Sequence, residues 1–393
     1  MELRGDLGEI PPKRTGHVAV AFNRAMIVWG GYQDNSDSNP MQMEVERYLP
    51  ATDIWIYHTD IDQWRKLTTR GDVPPGTSGA SAVQINHKMY VACGHCDGIG
   101  NTNKVYRLDL ETLKWESITT DIGPSPRDKC SIWEYRDEIY LFGGFGYDPV
   151  DYLNEDGEYT KDLVGAEWGS YRGWNNQLHV FDPGTRKWRN PRCKGPKPLP
   201  RAAVGASRCG NKAYIFGGRH IDERLNDLHI LNLDTLTWSG IMASTGSVPE
   251  GRSWHTFTAV SDTHIFLYGG FTTQRDPKSD GWLLDTRTLL WTQLNVPLTN
   301  PRLWHTMVRT SEDDILIYGG CCNNILDHTQ KMVHSFNVLV YRFSPRSLLR
   351  MCLECAFTNR KQLKKDWENL PKSLTGILTH KLEAIELNKA SGS

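Results

Sequence analysis

The feature that most constrains this chain is a glycine pair that returns along it. A β-branched or aromatic run ends in Gly-Gly at Val28-Trp29-Gly30-Gly31, Leu141-Phe142-Gly143-Gly144, Ile215-Phe216-Gly217-Gly218, Leu267-Tyr268-Gly269-Gly270 and Ile317-Tyr318-Gly319-Gly320. A degenerate copy reads Val91-Ala92-Cys93-Gly94. The second glycines are 63, 50, 74, 52 and 50 residues apart, a base period near 50 with two insertions. A unit of that length cannot bury its apolar face alone, so neighbouring units must stack.

Each unit carries further marks in the same order. Before the apolar run stand Arg14-Thr15-Gly16-His17, Arg127-Asp128-Lys129, Arg201-Ala202-Ala203, Arg252-Ser253-Trp254-His255 or Arg302-Leu303-Trp304-His305. After it comes an alternating strand such as Asp227–Leu233 or Asn176–Asp182, and a tryptophan closes most units: Trp64, Trp115, Trp188, Trp238 and Trp291. Four short strands, turn residues between them and one large aromatic describe a propeller blade. The glycines let neighbouring backbone approach where a Cβ would clash. The tryptophan supplies apolar surface between blades. The series from Arg14 to Phe343 resembles a kelch propeller, which implies an all-β, six-bladed ring. The sixth unit has no closing tryptophan after Val338–Phe343, so Gly8–Ile10 is expected to supply its last strand. The expected organisation is a propeller over 1–343, a helical tail over 344–387 and a flexible C-terminus over 388–393.

The bulk chemistry excludes several classes. The formal net charge is -1, with no basic excess to hold nucleic acid. No run approaches 18 apolar residues, so no membrane span is expected, and the polar start predicts no signal peptide. Nine cysteines at irregular spacings read as reduced thiols, which makes nucleus and cytoplasm the expected locations. Cys93–Cys96 and Cys352–Cys355 have CxxC spacing, but the first lies inside a repeat signature and the second in a helical tail. No metal and no cofactor are expected.

Strand alternation places the loop between blades and the loop after Gly-Gly on one face. Both insertions, Tyr32–Thr52 and Phe145–Trp174, follow Gly-Gly and build up that rim. The second is acidic and aromatic, with Asp148, Asp151, Glu155, Asp156, Glu158, Tyr159, Trp168 and Tyr171. Arg219 and Arg224 break the repeat there: the place of Arg219 is taken elsewhere by Tyr32, His95, Phe145, Phe271 and Cys321. Two guanidinium groups beside Ser253, with Trp254, Trp304 and Lys129 on adjacent loops, suit a carboxylate. Arg252 and Arg302 recur, and are expected to serve the blade itself.

The tail changes to helical period. Leu348, Cys352 and Ala356 share one helix face, as do Leu370, Leu374 and Leu378, with Pro371 in the first turn of the second helix. Ser347 with Leu348, Cys352 and Ala356 resembles a BC box, and Leu370-Pro371 with Leu374 and Leu378 resembles a Cullin-2 box. Propeller and tail together resemble the kelch substrate receptors of Cullin-2 RING ubiquitin ligases. That resemblance implies Elongin B, Elongin C, Cullin-2 and a RING subunit as partners, and C-terminal Gly-Gly degrons as ligands. It implies Arg219, Arg224 and Ser253 for the terminal carboxylate, with Lys129, Phe145, Trp174, Trp254 and Trp304 lining the pocket. Phe145 departs from the family pattern, which has tyrosine there. The end Ala390-Ser391-Gly392-Ser393 resembles a poor version of such a ligand, so self-association through it is an expectation. No catalytic residue is expected: there is no Gly-x-Ser-x-Gly elbow, and His255 is matched by His17 and His305. A kelch scaffold without a ubiquitin role stays open as the alternative.

Overall fold

The computed structural model describes residues 9–34, 46–167, 169–297, 299–327 and 329–390. The repeats form six mainly antiparallel sheets around one axis. Blade one contains Val18–Phe22, Ala25–Trp29, Asp53–His58 and Gln63–Thr68, hydrogen-bonded in that order. Blade four repeats it with Gly205–Cys209, Lys212–Phe216, Leu228–Asn232 and Thr237–Ile241. The six innermost strands pack side by side, and Val18–Phe22 meets Thr306–Arg309 to complete the circle.

The closing tryptophans join blades. Trp115 of blade two packs on Trp29 of blade one, with ring centroids 5.2 Å apart. Trp238 meets Phe142 at 5.2 Å, Trp291 meets Phe216 at 5.0 Å and Trp64 meets Tyr318 at 4.7 Å across the ring closure. The recurring arginines are buried within their own blades. Arg252 donates to Gly269 O at 2.9 Å and binds both carboxylate oxygens of Asp280, while Arg302 bonds the Asn337 carbonyl and side chain. Gly31 shows why the pair is glycine: its φ is +84°, and a Cβ there would lie 2.8 Å from Thr15 O.

One expectation is corrected. Among the described residues the sixth blade has three strands, Thr306–Arg309, Asp314–Tyr318 and Leu339–Arg342. Glu9 and Ile10 are in no strand, and Ile10 is exposed; Gly8 lies outside the described residues. Pro11 and Pro12 follow, and neither has an N–H to offer a ladder. The ring closes instead through backbone bonds such as Gly320 N to Arg14 O at 2.9 Å and Ser311 N to Asn23 O at 2.9 Å.

The helices are α1 (Leu163–Glu167) in the unit-three insertion, then α2 (Leu348–Thr358), α3 (Arg360–Leu363) and α4 (Lys372–Ala390) in the tail. A 3-10 turn over Lys364–Asn369 links the last two. Leu353, Phe357, Trp367 and Leu378 form the tail's own small core, joined by Ala356, Leu370 and Leu374. Helix α4 runs to Ala390, beyond the helical end expected at 387. The expected self-association segment Gly392-Ser393 and Trp168 lie outside the described residues.

Buried histidines are expected to make the ring less stable in acid. Burial holds the His179 and His255 imidazoles down to about 3 and that of His58 to about 4. Below the ordinary value of about 6.5 the unfolded chain gains protons that the folded one refuses, so stability falls as pH drops. Each imidazole contributes a slope of about 1.4 kcal/mol per pH unit until the folded values are reached. The urea midpoint is expected to be lower at pH 5 than at pH 7, and equal midpoints would contradict this account.

Candidate functional site

Six short bridges place the site. The segment entering each blade pairs with the segment after its Gly-Gly: Thr15 with Tyr32, Thr77–Ser78 with His95–Cys96, Arg127–Asp128 with Phe145–Gly146, Ala202 with Arg219, Arg252–Ser253 with Phe271–Thr272 and Leu303 with Cys321. Both loop sets therefore share one face. Inside them Gly16, Gly79, Lys129, Ala203, Trp254 and Trp304 each donate a backbone N–H to the carbonyl of the preceding unit's residue, at 2.8–3.3 Å. The six bonds form a closed circle about the axis. All six residues have φ between +53° and +67°. For lysine and tryptophan that backbone is strained, and it persists because the whole circle demands it. The consequence is that Lys129, Trp254 and Trp304 face a common cavity.

That cavity is about 300 Å³. It is lined by Lys129, Phe145, Trp174, Arg219, Ser253, Trp254 and Trp304, seven of the eight residues expected. Trp254 and Trp304 stack with centroids 5.4 Å apart. Trp304 can lie near the axis because Gly16 and Gly79 have no side chain; a Cβ on either would come within 3.1–3.3 Å of its ring. Phe145 meets Trp174 at 5.0 Å, and the Arg219 guanidinium sits over Trp174.

Arg224 does not line the cavity directly. It is the cross-strand partner of Arg219 on the hairpin formed by Arg219–His220 and Glu223–Arg224. Cross-strand partners present their side chains on the same face. Its guanidinium lies over Phe271, the strand partner of Ser253. Burial, reinforced by the Arg219 and Arg275 charges, pulls Arg224 down to about 10, and burial also lowers Arg219.

Several buried polar atoms of the site have no hydrogen-bond partner within the protein. Arg224 Nε and Nη2, Ser253 Oγ and Trp254 Nε1 are buried without a partner. Arg224 Nη1 is held by Asp222 O at 3.1 Å and Arg219 Nε by Ile221 O at 2.7 Å, which fixes both side chains. Each of these four atoms can donate, so their complement is an acceptor. The Nε/Nη2 edge of an arginine is suited to bind a carboxylate with two parallel bonds. Lys129 is already paired with Asp128 at 2.5 Å, so its charge is balanced within the protein. Ser253 has no hydrogen bond to His255. His255 is packed against Phe216 and kept neutral by burial, and Ser253–His255 forms no nucleophile–base pair.

Tyr32, Asp162, Ile325 and Leu326 line the wall too, with Ala202 and Ala203, and were not among the expected site residues. Tyr32 was findable, because it follows its Gly-Gly as Arg219 does. Ile325 and Leu326 sit in an irregular loop with no periodic signal.

The tail residues divide. Leu348 is 73% exposed and Cys352 is exposed, with Leu349 and Met351 beside them. Ala356 is half-buried against the tail core. Leu378 is fully buried in that core and Leu370 and Leu374 are half-buried, while Pro371 is exposed. The Leu370–Leu374–Leu378 stripe expected to meet a partner is thus largely turned inward, because the tail helices bury their apolar faces against each other first.

The protein-family model of the KLHDC2/KLHL20/DRC7 Kelch-repeats domain matches residues 5–154, 44–270 and 163–344. Kelch domain-containing protein 2 of Bos taurus is 40% identical over 391 residues, covering 98% of this chain and 93% of the bovine protein. Kelch domain-containing protein 1 of Mus musculus is 40% identical over 375 residues, covering 93% and 89%. Host cell factor 2 of Homo sapiens is 28% identical over 311 residues, covering 73% of this chain and 36% of that protein. A solved structure, that of YjhT, matches in fold with a TM-score of 0.60 at 17% identity, covering 85% of this chain and 96% of its own. The chain belongs to the KLHDC2/KLHL20/DRC7 kelch-repeat family.

Proposed function

We propose that this chain is the non-catalytic substrate receptor of a Cullin-2–Elongin B/C RING ubiquitin ligase, and that it binds proteins ending in Gly-Gly through the terminal carboxylate. The observation that carries the reading is the set of unpartnered buried donors on Arg224, Ser253 and Trp254 beside a cavity walled by aromatics. A chain end is the one place where a peptide offers a carboxylate on its backbone. Glycine lets that end enter between Trp174, Trp254 and Trp304 without a Cβ. Leu348 and Cys352, exposed on α2, support the docking of Elongin C. Nuclear and cytoplasmic location belongs to the same proposal.

Two measurements test it. A peptide ending in Gly-Gly is expected to bind as the free acid and to lose at least tenfold as the amide; equal affinities would refute the carboxylate reading. Elongin B and C are expected to co-purify with the full chain and to be lost with Leu348→Ala and Cys352→Asp. Retention of both would favour a scaffold without a ligase role.

A further inference from the structure

The pocket wall contains a group that a simple carboxylate receptor does not need. Asp162 lines the cavity that Arg219 and Ser253 also line. One of its oxygens accepts Gly165 N at 3.1 Å. The ion pairs beside the cavity are Lys129–Asp128 and Arg219–Asp222, and neither uses Asp162. Its charge reaches Arg219 and Tyr159. A carboxylate in the wall of an anion pocket opposes the anion, unless the ligand brings a donor alongside.

Asp162 is also the wall residue that leads into α1 of the unit-three insertion. Leu163 and Val164 follow it on α1 and are 72% and 65% exposed, and Tyr171 is 65% exposed. Asp148, Glu158 and Glu167 of the same insertion are exposed acids, against the exposed cation Lys161, whose ammonium lies over Tyr171. The other charged residues of the cavity wall, Lys129 and Arg219, are cations. Among the described residues, Asp162 is the one acid that lines this cavity, so a ligand whose carboxylate reaches Arg219 and Arg224 finds a favourable place for a cationic side chain on the Asp162 side. The fully buried, unpartnered Ser253 Oγ marks the same cavity as a built site.

Resting on the receptor reading, we propose that Asp162 and the exposed surface of this insertion dock the segment just upstream of the Gly-Gly end, and that they select segments carrying Lys or Arg beside an apolar residue. Selectivity then has two parts. The arginine pair reads the chain end, and the insertion reads the sign of charge a few residues before it.

The test uses the full chain and three peptides ending in Gly-Gly, with Lys, Ala or Glu three to five residues from the end, each as acid and as amide. Wild type is expected to bind the Lys peptide about fivefold tighter than the Glu peptide. In Asp162→Asn that ratio is expected to fall close to one. Asparagine keeps an acceptor for Gly165 N–H, so α1 retains its cap. A wild-type ratio of one, or an undiminished ratio in Asp162→Asn, overturns the proposal while acid-over-amide preference leaves the receptor reading standing. Loss of acid-over-amide preference in wild type sinks both.

Discussion

Arg224→Ala, alone or with Arg219→Ala, is expected to abolish binding of a Gly-Gly peptide while leaving the ring folded. Removing one partner of a buried, hydrogen-bonded charge pair costs about 2–5 kcal/mol, or roughly 30-fold to more than 1,000-fold in affinity. The same change should not lower the melting temperature of the free protein. Arg224 is 8% exposed, and two of its nitrogens have no partner. Removing a desolvated, half-partnered cation relieves the unliganded fold. Arg252→Ala should behave in the opposite way. Arg252 is 1% exposed and is fully engaged by Asp280, Gly269 O and Glu250 O, so its loss weakens the hold on a partly buried carboxylate and destabilises blade five. Calorimetric titration with thermal melts of both variants separates the two roles. Unchanged peptide affinity in Arg224→Ala, or a collapse of its melting temperature, would remove the clamp from the account.

Arg350→Ala is expected to free the tail from the propeller. Arg350 reaches out of α2 to Asp314, a carboxylate with no exposed surface in the second strand of blade six. Asp314 also binds Arg342, and Ser347 donates to Glu312 at 2.8 Å. Breaking a buried pair of this kind costs about 3–5 kcal/mol, and the remaining Arg342 contact places this case near the lower end. Limited proteolysis should then cut within 344–390, and amide exchange in α2 should rise. Leu348→Ala on the exposed side of the same helix should leave both readouts unchanged. If ligase activity depends on a fixed angle between pocket and tail, Arg350→Ala should keep peptide affinity and lose substrate ubiquitination. An undisturbed tail in Arg350→Ala would show that the small core of Leu353, Phe357, Trp367 and Leu378 holds it without the ion pair.

Much of the site was legible because the scaffold repeats. In a periodic chain, Arg219 stands out against Tyr32, His95, Phe145, Phe271 and Cys321 at the same place, and a departure from the pattern is itself information. Asp162 could not be found this way, since the insertion has no counterpart in other blades to compare it with. The sixth blade departs from expectation at Glu9 and Ile10, the described part of the segment, for a related reason. A missing tryptophan signalled a missing strand, but nothing local said that Pro11-Pro12 would leave Glu9 and Ile10 unpaired. In the tail, helical period located both stripes. Period alone does not say whether a stripe meets a partner or its neighbour, and Leu378 meets its neighbour.

The six units, the all-β ring, the shared face of the two loop sets and the exceptional arginine pair are all readable from the order of residues. These follow from patterns a few residues long, repeated in register, and local sterics enforce them at each copy. Only the tertiary structure decided that Arg224, Ser253 and Trp254 keep donors without acceptors, that Lys129 is neutralised by Asp128, and that Arg350 ties α2 to Asp314. Whether a buried polar atom has a partner depends on groups brought together from blades far apart in the chain, and no local pattern specifies which of them will meet.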